Sequence, residues 1–379
     1  MINDAFCRTI VTDIKYRMAF AAIREFSDAG SRVCGLHFGS PGKKPPAAHS
    51  RYLSDYRAAA EADADFIFEY AAAQSDAVIF PIASATVEML SRADPESRGR
   101  LIVPSPDSLA AANDKYAVRV LAKELDIPVP EQYDPRGAAK KYPLVVKYRN
   151  GEALGITARD RYRIVRDDEE FERVYADFSG KAAGKQEPPL AQEYLAGDAV
   201  GVSALFDRDS KPVSVICHRR VREYPVSGGP SSCCVSVWDE ELVSYAVRLL
   251  KALKWRGVAM VEFKNRKLLE INPRVWGSFP LVRAAKSSFA RAYLLAALGE
   301  DLLACDKPDY RLGRKMSFFF SDLAAAGEYL RAGNKRQAFG AIRDAANPFV
   351  KDGVIELRDV PGSLAYIADM LGRIGGKQA

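Results

Sequence analysis

The sequence predicts an α/β protein with more than one domain, and three observations support this prediction. The chain has 379 residues, which corresponds to two to four structural units at about 100–200 residues per domain. Hydrophobic residues make up 48% of the chain, enough for a full core. Predicted strands and helices alternate from the N-terminus, and this alternation is typical of a parallel sheet covered by helices.

The first hundred residues contain a β–α–β unit. The pattern predicts strands at 8–12, 32–38, 77–81 and 101–103, and helices at 16–26 and 57–73. Strands separated in this way are parallel, so we predict a small Rossmann-like domain over 1–104. No GxGxxG motif follows the first strand, and a dinucleotide site is therefore not expected.

A second region begins after Pro104-Ser-Pro-Asp107, which can cap a helix at 108–125. Further strands are predicted at 143–147, 190–195, 201–207, 213–222, 257–264 and 267–272, with a helix at 240–253. The tail from 306 is predicted to be mostly helical, with one strand at 354–357.

Composition argues against several classes of protein. The net charge of +6 comes without a polybasic block, so a nucleic-acid partner is not indicated. No run of 18 apolar residues predicts a membrane span, and the first residues do not resemble a signal peptide. Six cysteines without a CxxC pair, with only three histidines, argue against structural zinc. They predict reduced thiols and a cytoplasmic location.

Polar residues interrupt the last two predicted strands. Glu262 lies in the first strand, and Glu270 and Asn272 lie in the second. Residues two apart on a strand share a face, so Glu270 and Asn272 point the same way. With Glu262 opposite Glu270, these oxygens suit Mg²⁺, which would offset the repulsion between the carboxylates. A solvent-facing row of carboxylates is the alternative.

The loop of this hairpin decides the register. Glu262 opposes Glu270 only if the loop has three residues, Asn265-Arg266-Lys267, or if an equivalent bulge is present. A tight turn at Asn265-Arg266 alone would place the two carboxylates on opposite faces. The metal hypothesis therefore predicts the longer loop or the bulge.

This constellation resembles the ATP-grasp superfamily, in which a Glu on one strand and a Glu-x-Asn on the next hold the magnesium ions that bridge the ATP phosphates. The run Leu269-Glu-Ile-Asn-Pro-Arg274 matches that signature, and Glu262 matches the upstream carboxylate. The sequence looks nearest to predicted carboligases related to carbamoyl-phosphate synthetase and biotin carboxylase. Typical of that subgroup is His218-Arg-Arg-Val-Arg-Glu-Tyr-Pro225 followed by Ser227-Gly-Gly.

The resemblance covers 105–300 closely and 1–104 more loosely. It implies a Rossmann-like N-terminal domain followed by a two-lobed α+β ATP-grasp and a mostly helical C-terminal appendage. The expected boundaries are 105–190 for the first lobe, 191–305 for the second lobe and 306–379 for the appendage.

An ATP site is implied by the same resemblance. Lys115 and Lys147 resemble the lysines that approach the phosphates, although Lys115 could also be a surface lysine early in a helix. Glu193-Tyr194-Leu195 resembles the hinge that binds adenine, and Asp198 the acid near the ribose hydroxyls.

The loop over 148–163 departs from the family. Only Gly151 and Gly155 remain of the usual glycine run, and the nearby arginines 149, 159, 161 and 163 are candidates to replace some amide contacts with phosphate.

Three arginines are candidates for the chemical step. Arg220 and Arg222 lie two apart on a predicted strand with His218, and a cationic row of this kind needs anions unless it lines an exposed edge. In the family such residues contact phosphate or an acyl phosphate. Arg274 is expected to reach the transferred phosphate or the substrate carboxylate. Residues 227–232 either close over the substrate or form an ordinary turn.

The resemblance therefore predicts a ligase that uses ATP and Mg²⁺, or Mn²⁺, to join a small-molecule carboxylate to an amine or another nucleophile through an acyl phosphate. A homodimer is compatible with this reading. Two alternatives remain open: a kinase-like or carboxylating enzyme without amine ligation, and a catalytically silent nucleotide-binding module. No biotin-carrier motif is present in the sequence, and the intact metal set argues against the silent module.

Overall fold

The α/β class is confirmed by a computed structural model that contains three sheets. It describes residues 7–39, 42, 44–74, 77–93, 100–137, 139–157, 160–185, 187–226 and 228–375. Among the helices of these residues, none combines the length and the apolar character that crossing a membrane requires. All six cysteines are free.

The N-terminal domain contains a four-stranded parallel sheet of order β3-β2-β1-β4. Its strands are β1 (Arg8–Val11), β2 (Arg32–Phe38), β3 (Leu53–Ala59) and β4 (Val78–Phe80), and its helices are α1 (Met18–Asp28), α2 (Ala64–Ala73) and α3 (Ser84–Ser91). The prediction of a helix from 57 is wrong at its start. The alanines there favour a helix, but pairing with β2 overrides that local preference. The predicted strand at 101–103 is reduced to one bridge, between Ile79 and Leu101.

Two short helices lead into the next region, where one helix was predicted. They are α4 (Pro106–Asn113) and α5 (Lys115–Glu124). Asp114 separates them because its backbone is extended and its side chain accepts hydrogen bonds from the first amides of α5, an ordinary N-cap. Both helices contribute to a core shared with the N-terminal domain and the large sheet described below.

The first lobe has its own sheet and its own core. Its elements are β5 (Gln132–Tyr133), β6 (Leu144–Lys147), β7 (Tyr162–Val165), α6 (Asp168–Ala182) and β8 (Leu190–Glu193), with the antiparallel order β5-β8-β6-β7. The strand β8 thus belongs to this sheet, just beyond the expected boundary at 190. Phe171, Phe178 and Tyr148 form a hydrophobic cluster separate from the rest of the molecule.

The second lobe is built on a seven-stranded sheet of order β13-β12-β9-β10-β11-β14-β15. Its central strands and helix are β9 (Ala199–Phe206), β10 (Pro212–Glu223), β11 (Ser231–Val237), α7 (Glu240–Ala252), β12 (Gly257–Lys264) and β13 (Lys267–Asn272). They are followed by α8 (Leu281–Ala285), α9 (Phe289–Ala297), β14 (Lys315–Ser317), α10 (Phe319–Arg331), α11 (Lys335–Ala345), β15 (Lys351–Asp352) and α12 (Val360–Gly375).

The C-terminal region is mostly helical, as expected, but two of its strands complete the large sheet. The predicted strand at 354–357 is wrong, because the chain forms bends and the start of a 3₁₀ turn there. Its amides at Val354 and Ile355 are satisfied by the carboxylate of Asp352 rather than by a neighbouring strand.

Aromatic packing joins the N-terminal domain to the second lobe. Phe80 meets Phe26 and Tyr293 in edge-to-face contacts, at ring-centroid distances of 4.9 and 4.8 Å. The Tyr293 hydroxyl also donates to the Ile79 carbonyl at 2.7 Å. These two units therefore form one continuous core.

A buried ion pair fixes the C-terminal region to the same body. Arg24 donates from Nε to Asp359 Oδ2 at 2.9 Å and from Nη1 to the Val354 carbonyl at 2.7 Å. Asp359 also accepts from the Ser50 hydroxyl at 2.7 Å and from the Arg51 amide at 2.9 Å. Both charged side chains are almost completely buried.

We expect Asp359→Asn to destabilise the protein by about 3 kcal/mol, because the buried Arg24 would keep only Glu356, at 3.7 Å, as a counter-ion. Urea unfolding measures the loss. The control is Glu88→Gln, which removes an exposed partner of Arg92 and should change stability by at most about 0.5 kcal/mol. Equal effects in the two variants would contradict the assignment.

Candidate active site

A row of four residues crosses the large sheet. In strand register, His218 on β10 is paired with Gly201 on β9, Gly201 with Glu262 on β12, and Glu262 with Glu270 on β13. Directly opposed residues share a face, so the histidine and both carboxylates point to the same side. A Cβ on Gly201 would lie 2.3 Å from the His218 ring, so only glycine leaves room for that ring.

The hairpin reaches this register through a bulge, and not through a longer loop. Asn265 and Arg266 have φ values of 46° and 61° and form a tight two-residue turn, so the prediction of a three-residue loop is wrong. A bulge at Leu269 restores the register, because Phe263 pairs with Leu268 while Glu262 pairs with Glu270.

Other parts of the chain hold the bulge. The Leu268 amide donates to the Pro128 carbonyl at 2.8 Å. Lys147, at the end of β6 in the first lobe, directs Nζ to the Leu269 carbonyl at 3.5 Å. The extra residue of the bulge therefore presents its carbonyl to a lysine from the opposite side of the cleft.

Two lysines surround Glu270. The Lys115 ammonium lies 3.1 Å from Glu270 Oε2. Burial alone would raise the pKa of Glu270, but Lys115, Lys147 and Arg274 together lower this pKa to about 2. Burial and the nearby Lys115 lower the pKa of Lys147 to about 8, against the opposing effect of Glu270 and Glu262.

Glu262 has a cation of its own. Arg220 Nη2 donates to Glu262 Oε1 at 2.7 Å, while the same guanidinium also reaches Glu223 Oε2 at 3.0 Å and the Ser231 hydroxyl at 3.2 Å. His218, two residues before Arg220, shares a hydrogen bond of 3.1 Å with the Ser278 hydroxyl. Burial and Arg220 lower the pKa of His218 to about 3, so its ring is neutral.

Arg222 does not join Arg220, and the prediction that they share a face is wrong. Arg220 pairs with Cys234 but Arg222 pairs with the adjacent Cys233, so a bulge reverses the direction of the second arginine. Arg222 is buried against the C-terminal helices. It donates to Asp322 at 2.8 and 2.6 Å and to Asp344 at 2.8 Å.

The predicted hinge residues lie at the turn end of the same hairpin. Glu193 Oε2 is 2.6 Å from Lys267 Nζ and accepts from the Glu131 amide at 3.0 Å. Lys264 lies over the Tyr194 ring at 5.5 Å. The remaining two predicted residues have different exposure: Leu195 is buried, whereas the Asp198 side chain is 71% exposed and 3.7 Å from Arg219.

Local acids neutralise the described arginines of the loop over 148–163. Arg149 pairs with Asp114, Arg161 with Glu152 at 3.2 Å, and Arg163 with Asp160 at 2.8 Å. These arginines are therefore less available to phosphate than the sequence suggested. Arg159 lies outside the described residues.

The segment around 228–230 is held at both ends. The Val226 amide donates to Glu328 Oε2 at 2.8 Å, and the Tyr224 amide donates to the Pro230 carbonyl at 3.2 Å. Gly228 packs so closely on Tyr162 that a Cβ would overlap the hydroxyl. Ser227 lies outside the described residues, and Ser231 and Ser232 belong to β11 rather than to the loop.

The oxygen donors fit a magnesium ion. Glu262 opposes Glu270, Asn272 lies two residues further along the same face, and carboxylate and amide oxygens are the ligands Mg²⁺ prefers. Asn272 Oδ1 contacts Arg274 Nη2 at 3.5 Å. In the part of the chain that the structure describes, no three His, Cys, Asp or Glu side chains come together as a metal-binding group, so the set depends on Asn272 as its third donor.

Sequence reasoning missed two contributors. Gly201 was not singled out, because a glycine inside a strand reveals its role only when its neighbours across the sheet are known. Arg17 was also missed. It lies in the N-terminal domain just before α1, yet its guanidinium lies 3.5 Å from the Ser231 carbonyl, beside Arg220.

Residues 112–278 match the family model described as the ATP-grasp domain. The chain therefore carries an ATP-grasp domain, and this region includes every predicted ATP, metal and catalytic residue from Lys115 to Arg274.

Among curated proteins, the chain is similar to the carbamoyl phosphate synthase large chain of Archaeoglobus fulgidus. The two are 28% identical over 230 residues, which cover 56% of this chain and 21% of that protein. The chain thus matches only about a fifth of the length of this relative.

Two solved structures share the fold. Biotin carboxylase from Campylobacter jejuni has a TM-score of 0.63 at 16% identity, covering 81% of this chain and 74% of that one. The L-amino acid ligase from Bacillus licheniformis has a TM-score of 0.57 at 14% identity, covering 83% of this chain and 80% of that one.

The low pKa of Glu270 predicts a specific acid dependence of stability. Its folded pKa of about 2 lies below the usual 4.5, so its contribution is complete above about pH 5 and is lost as the pH falls toward 2. We expect Glu270→Gln to be less stable than wild type near pH 6, and the difference to narrow toward about pH 3. Urea unfolding in EDTA measures both; a constant difference would contradict the assigned pKa.

Proposed function

We propose that the protein is an ATP- and Mg²⁺-dependent ligase that activates a small-molecule carboxylate as an acyl phosphate and transfers the acyl group to an amine. The observation that carries this proposal is the pair Glu262–Glu270, which faces one cleft with Lys115, Lys147 and Arg220 around it. Such an arrangement of fixed charges suits phosphoryl transfer, which depends on positioning and charge neutralisation.

In this proposal the triphosphate lies between the lobes. Glu262, Glu270 and Asn272 would hold Mg²⁺ or Mn²⁺, which when bound neutralises part of the phosphate charge. Lys147, whose long contact to Leu269 is weak, turns to the phosphates when they enter. Lys115 remains beside Glu270 and fixes that carboxylate. The hinge backbone at Glu193-Tyr194-Leu195 receives the adenine, with Asp198 near the ribose.

The reaction has two steps. A carboxylate oxygen of the substrate attacks the γ-phosphorus, and the bond between the γ-phosphorus and the β,γ-bridging oxygen breaks to release ADP. The amine nitrogen then attacks the carbonyl carbon of the acyl phosphate, loses a proton and displaces inorganic phosphate. In this proposal Arg220 and Arg274 stabilise the negative charge at the transferred group. Arg222 is not part of this mechanism, because the bulge turns it away from Arg220 and it is buried against Asp322 and Asp344.

A second candidate is carboxylating or kinase-like chemistry, in which the acyl phosphate is not passed to an amine. The fold likeness to biotin carboxylase favours it, whereas the likeness to the L-amino acid ligase favours ligation. Hydroxamate trapping across a panel of acids, including bicarbonate, decides between them. ADP release that depends on both an acid and an amine supports ligation, and ADP release with no acid dependence contradicts both.

We expect Lys147→Met to weaken ATP binding about 10- to 100-fold, the effect of losing one charge-assisted hydrogen bond. Because the pKa of Lys147 is about 8, wild-type affinity should fall as the pH rises through that value. Lys147→Arg should retain binding without this pH dependence, since arginine stays protonated. Calorimetry measures each affinity. The control is Lys181→Met, an exposed lysine paired with Asp177 in the same lobe; unchanged binding in Lys147→Met would exclude this lysine.

The two arginines Arg274 and Arg222 provide a matched comparison. Arg274→Met should leave ATP affinity intact and reduce acid-dependent ADP formation about 10²- to 10³-fold, as for loss of one transition-state contact. Arg222→Met should instead reduce the free energy of unfolding by about 3 kcal/mol, because the buried Asp322 loses its cation and Asp344 keeps only Lys315. Steady-state kinetics and urea unfolding on both variants test this, and the reverse pattern would overturn the assignment.

A further inference from the structure

Arg17 places a guanidinium from the N-terminal domain beside the candidate active site. Its Nη1 donates to the Ser321 hydroxyl and its Nη2 to the Ser231 carbonyl, both at 3.5 Å, the long limit for a hydrogen bond. The guanidinium lies flat against Phe318, with 3.5 Å between its central carbon and the ring centroid. Most of its five N–H groups are left without a close acceptor.

Where the structure describes the chain, Arg17 lacks the close carboxylate partner that other arginines of the protein have. Arg24, Arg222 and Arg283 each contact one or more carboxylates within 3 Å. Among the described residues no carboxylate is within ion-pair distance of Arg17, and the negative charge of Asp352 acts on it only from farther away. Burial lowers the pKa of Arg17. A partly buried guanidinium in this state has a strong preference for an anion.

Arg17 and Arg220 of the candidate site contact one residue in common. Arg220 donates to the Ser231 hydroxyl at 3.2 Å, so Arg17 and Arg220 contact the same residue, one at its backbone and one at its side chain. A Cβ built on Gly277 would lie 3.9 Å from Arg17 Nη2 and would meet no other atom within 4 Å. Arg17 Nη2 is therefore the atom that a side chain at position 277 would contact first.

Arg274, three residues before Gly277 in the chain, is a second arginine without a close carboxylate in the part that the structure describes. Its Nη1 donates to the Val275 carbonyl at 3.0 Å and its Nη2 reaches Asn272 at 3.5 Å, with no carboxylate partner among the described residues. Helix α1, which begins directly after Arg17, has no capping side chain and no acidic residue in its first turn. Its positive end adds to the preference for an anion.

We propose that Arg17 binds a second anionic group of the acid substrate, so that the enzyme selects acids with two negative charges. This inference rests on the proposed ligase function. The reacting carboxylate lies at Arg274 and Arg220, next to the transferred phosphate. The second anion, a carboxylate or a phosphate, binds at the Arg17 guanidinium, and the domain that precedes the ATP-grasp region thereby helps to choose the substrate.

The test compares acids that differ only in the second charge. Succinate and glutarate are each paired with their monoamides, which have the same shape and one charge fewer. Affinities are measured by calorimetry on protein saturated with Mg²⁺ and a non-hydrolysable ATP analogue, and turnover is followed by ADP release. The binding measurements test the role of Arg17, and the turnover measurements test the ligase proposal. Failure of the role assigned to Arg17 is therefore distinguishable from failure of the ligase proposal.

We expect wild type to bind a dicarboxylate about tenfold or more tightly than its monoamide, as for one charge-assisted hydrogen bond. In Arg17→Met this ratio should fall to about one, and Arg17→Lys should restore part of it. Gly277→Leu keeps the Arg17 guanidinium but covers it with the leucine side chain, and should also abolish the preference for the dicarboxylate. Arg92→Met, which removes an exposed cation, should retain it.

Two results would overturn the inference. One is equal binding of each dicarboxylate and its monoamide by wild type. The other is that Arg17→Met weakens the binding of a dicarboxylate and of its monoamide equally, while Gly277→Leu leaves the ratio of the two affinities unchanged. This behaviour is expected if Arg17 only connects the N-terminal domain to Phe318 and Ser321.

Discussion

The opposition of Glu262 and Glu270 across two strands is the constraint on which the rest of the site depends. Two carboxylates at directly opposed positions repel each other, and partial burial strengthens the repulsion. The structure offsets it with cations from different elements: Lys115 at the start of α5, Arg220 on β10 and Lys147 at the end of β6. The low pKa of Glu270 is one result of this arrangement.

These cations belong to two bodies. Helix α5 and strand β10 pack in the core shared by the N-terminal domain and the large sheet, whereas Lys147 belongs to the first lobe, which has a separate hydrophobic cluster. Of these three cations, only Lys147 makes a weak, long hydrogen bond, to the Leu269 carbonyl. A lobe with its own core can move as a unit, so Lys147 is the cation best placed to leave the carboxylates and follow a phosphate.

The sequence predicted the hairpin strands to the residue, because both are apolar runs interrupted at fixed intervals. It did not predict that a tight turn and a bulge occur together in this hairpin. A two-residue turn satisfies the local backbone but gives the wrong register, and the bulge at Leu269 corrects it with contacts to Pro128 and Lys147 that are far away in sequence. The β3 strand was missed for the same kind of reason, since its alanines favour a helix and only pairing with β2 makes it a strand.

Arg222 shows how the C-terminal region takes part in the site without touching it. Period-two alternation places this arginine beside Arg220, but one extra residue in β10 turns it toward Asp322 and Asp344. A buried charge cluster of this kind is often no more stabilising than an apolar one. The contribution of this charge cluster is therefore better understood as geometric, because it fixes the position of the bulge. The bulge in turn directs Arg220 toward Glu262 and Arg222 away from it. The appendage thus helps to set the direction of the arginine that balances the first carboxylate.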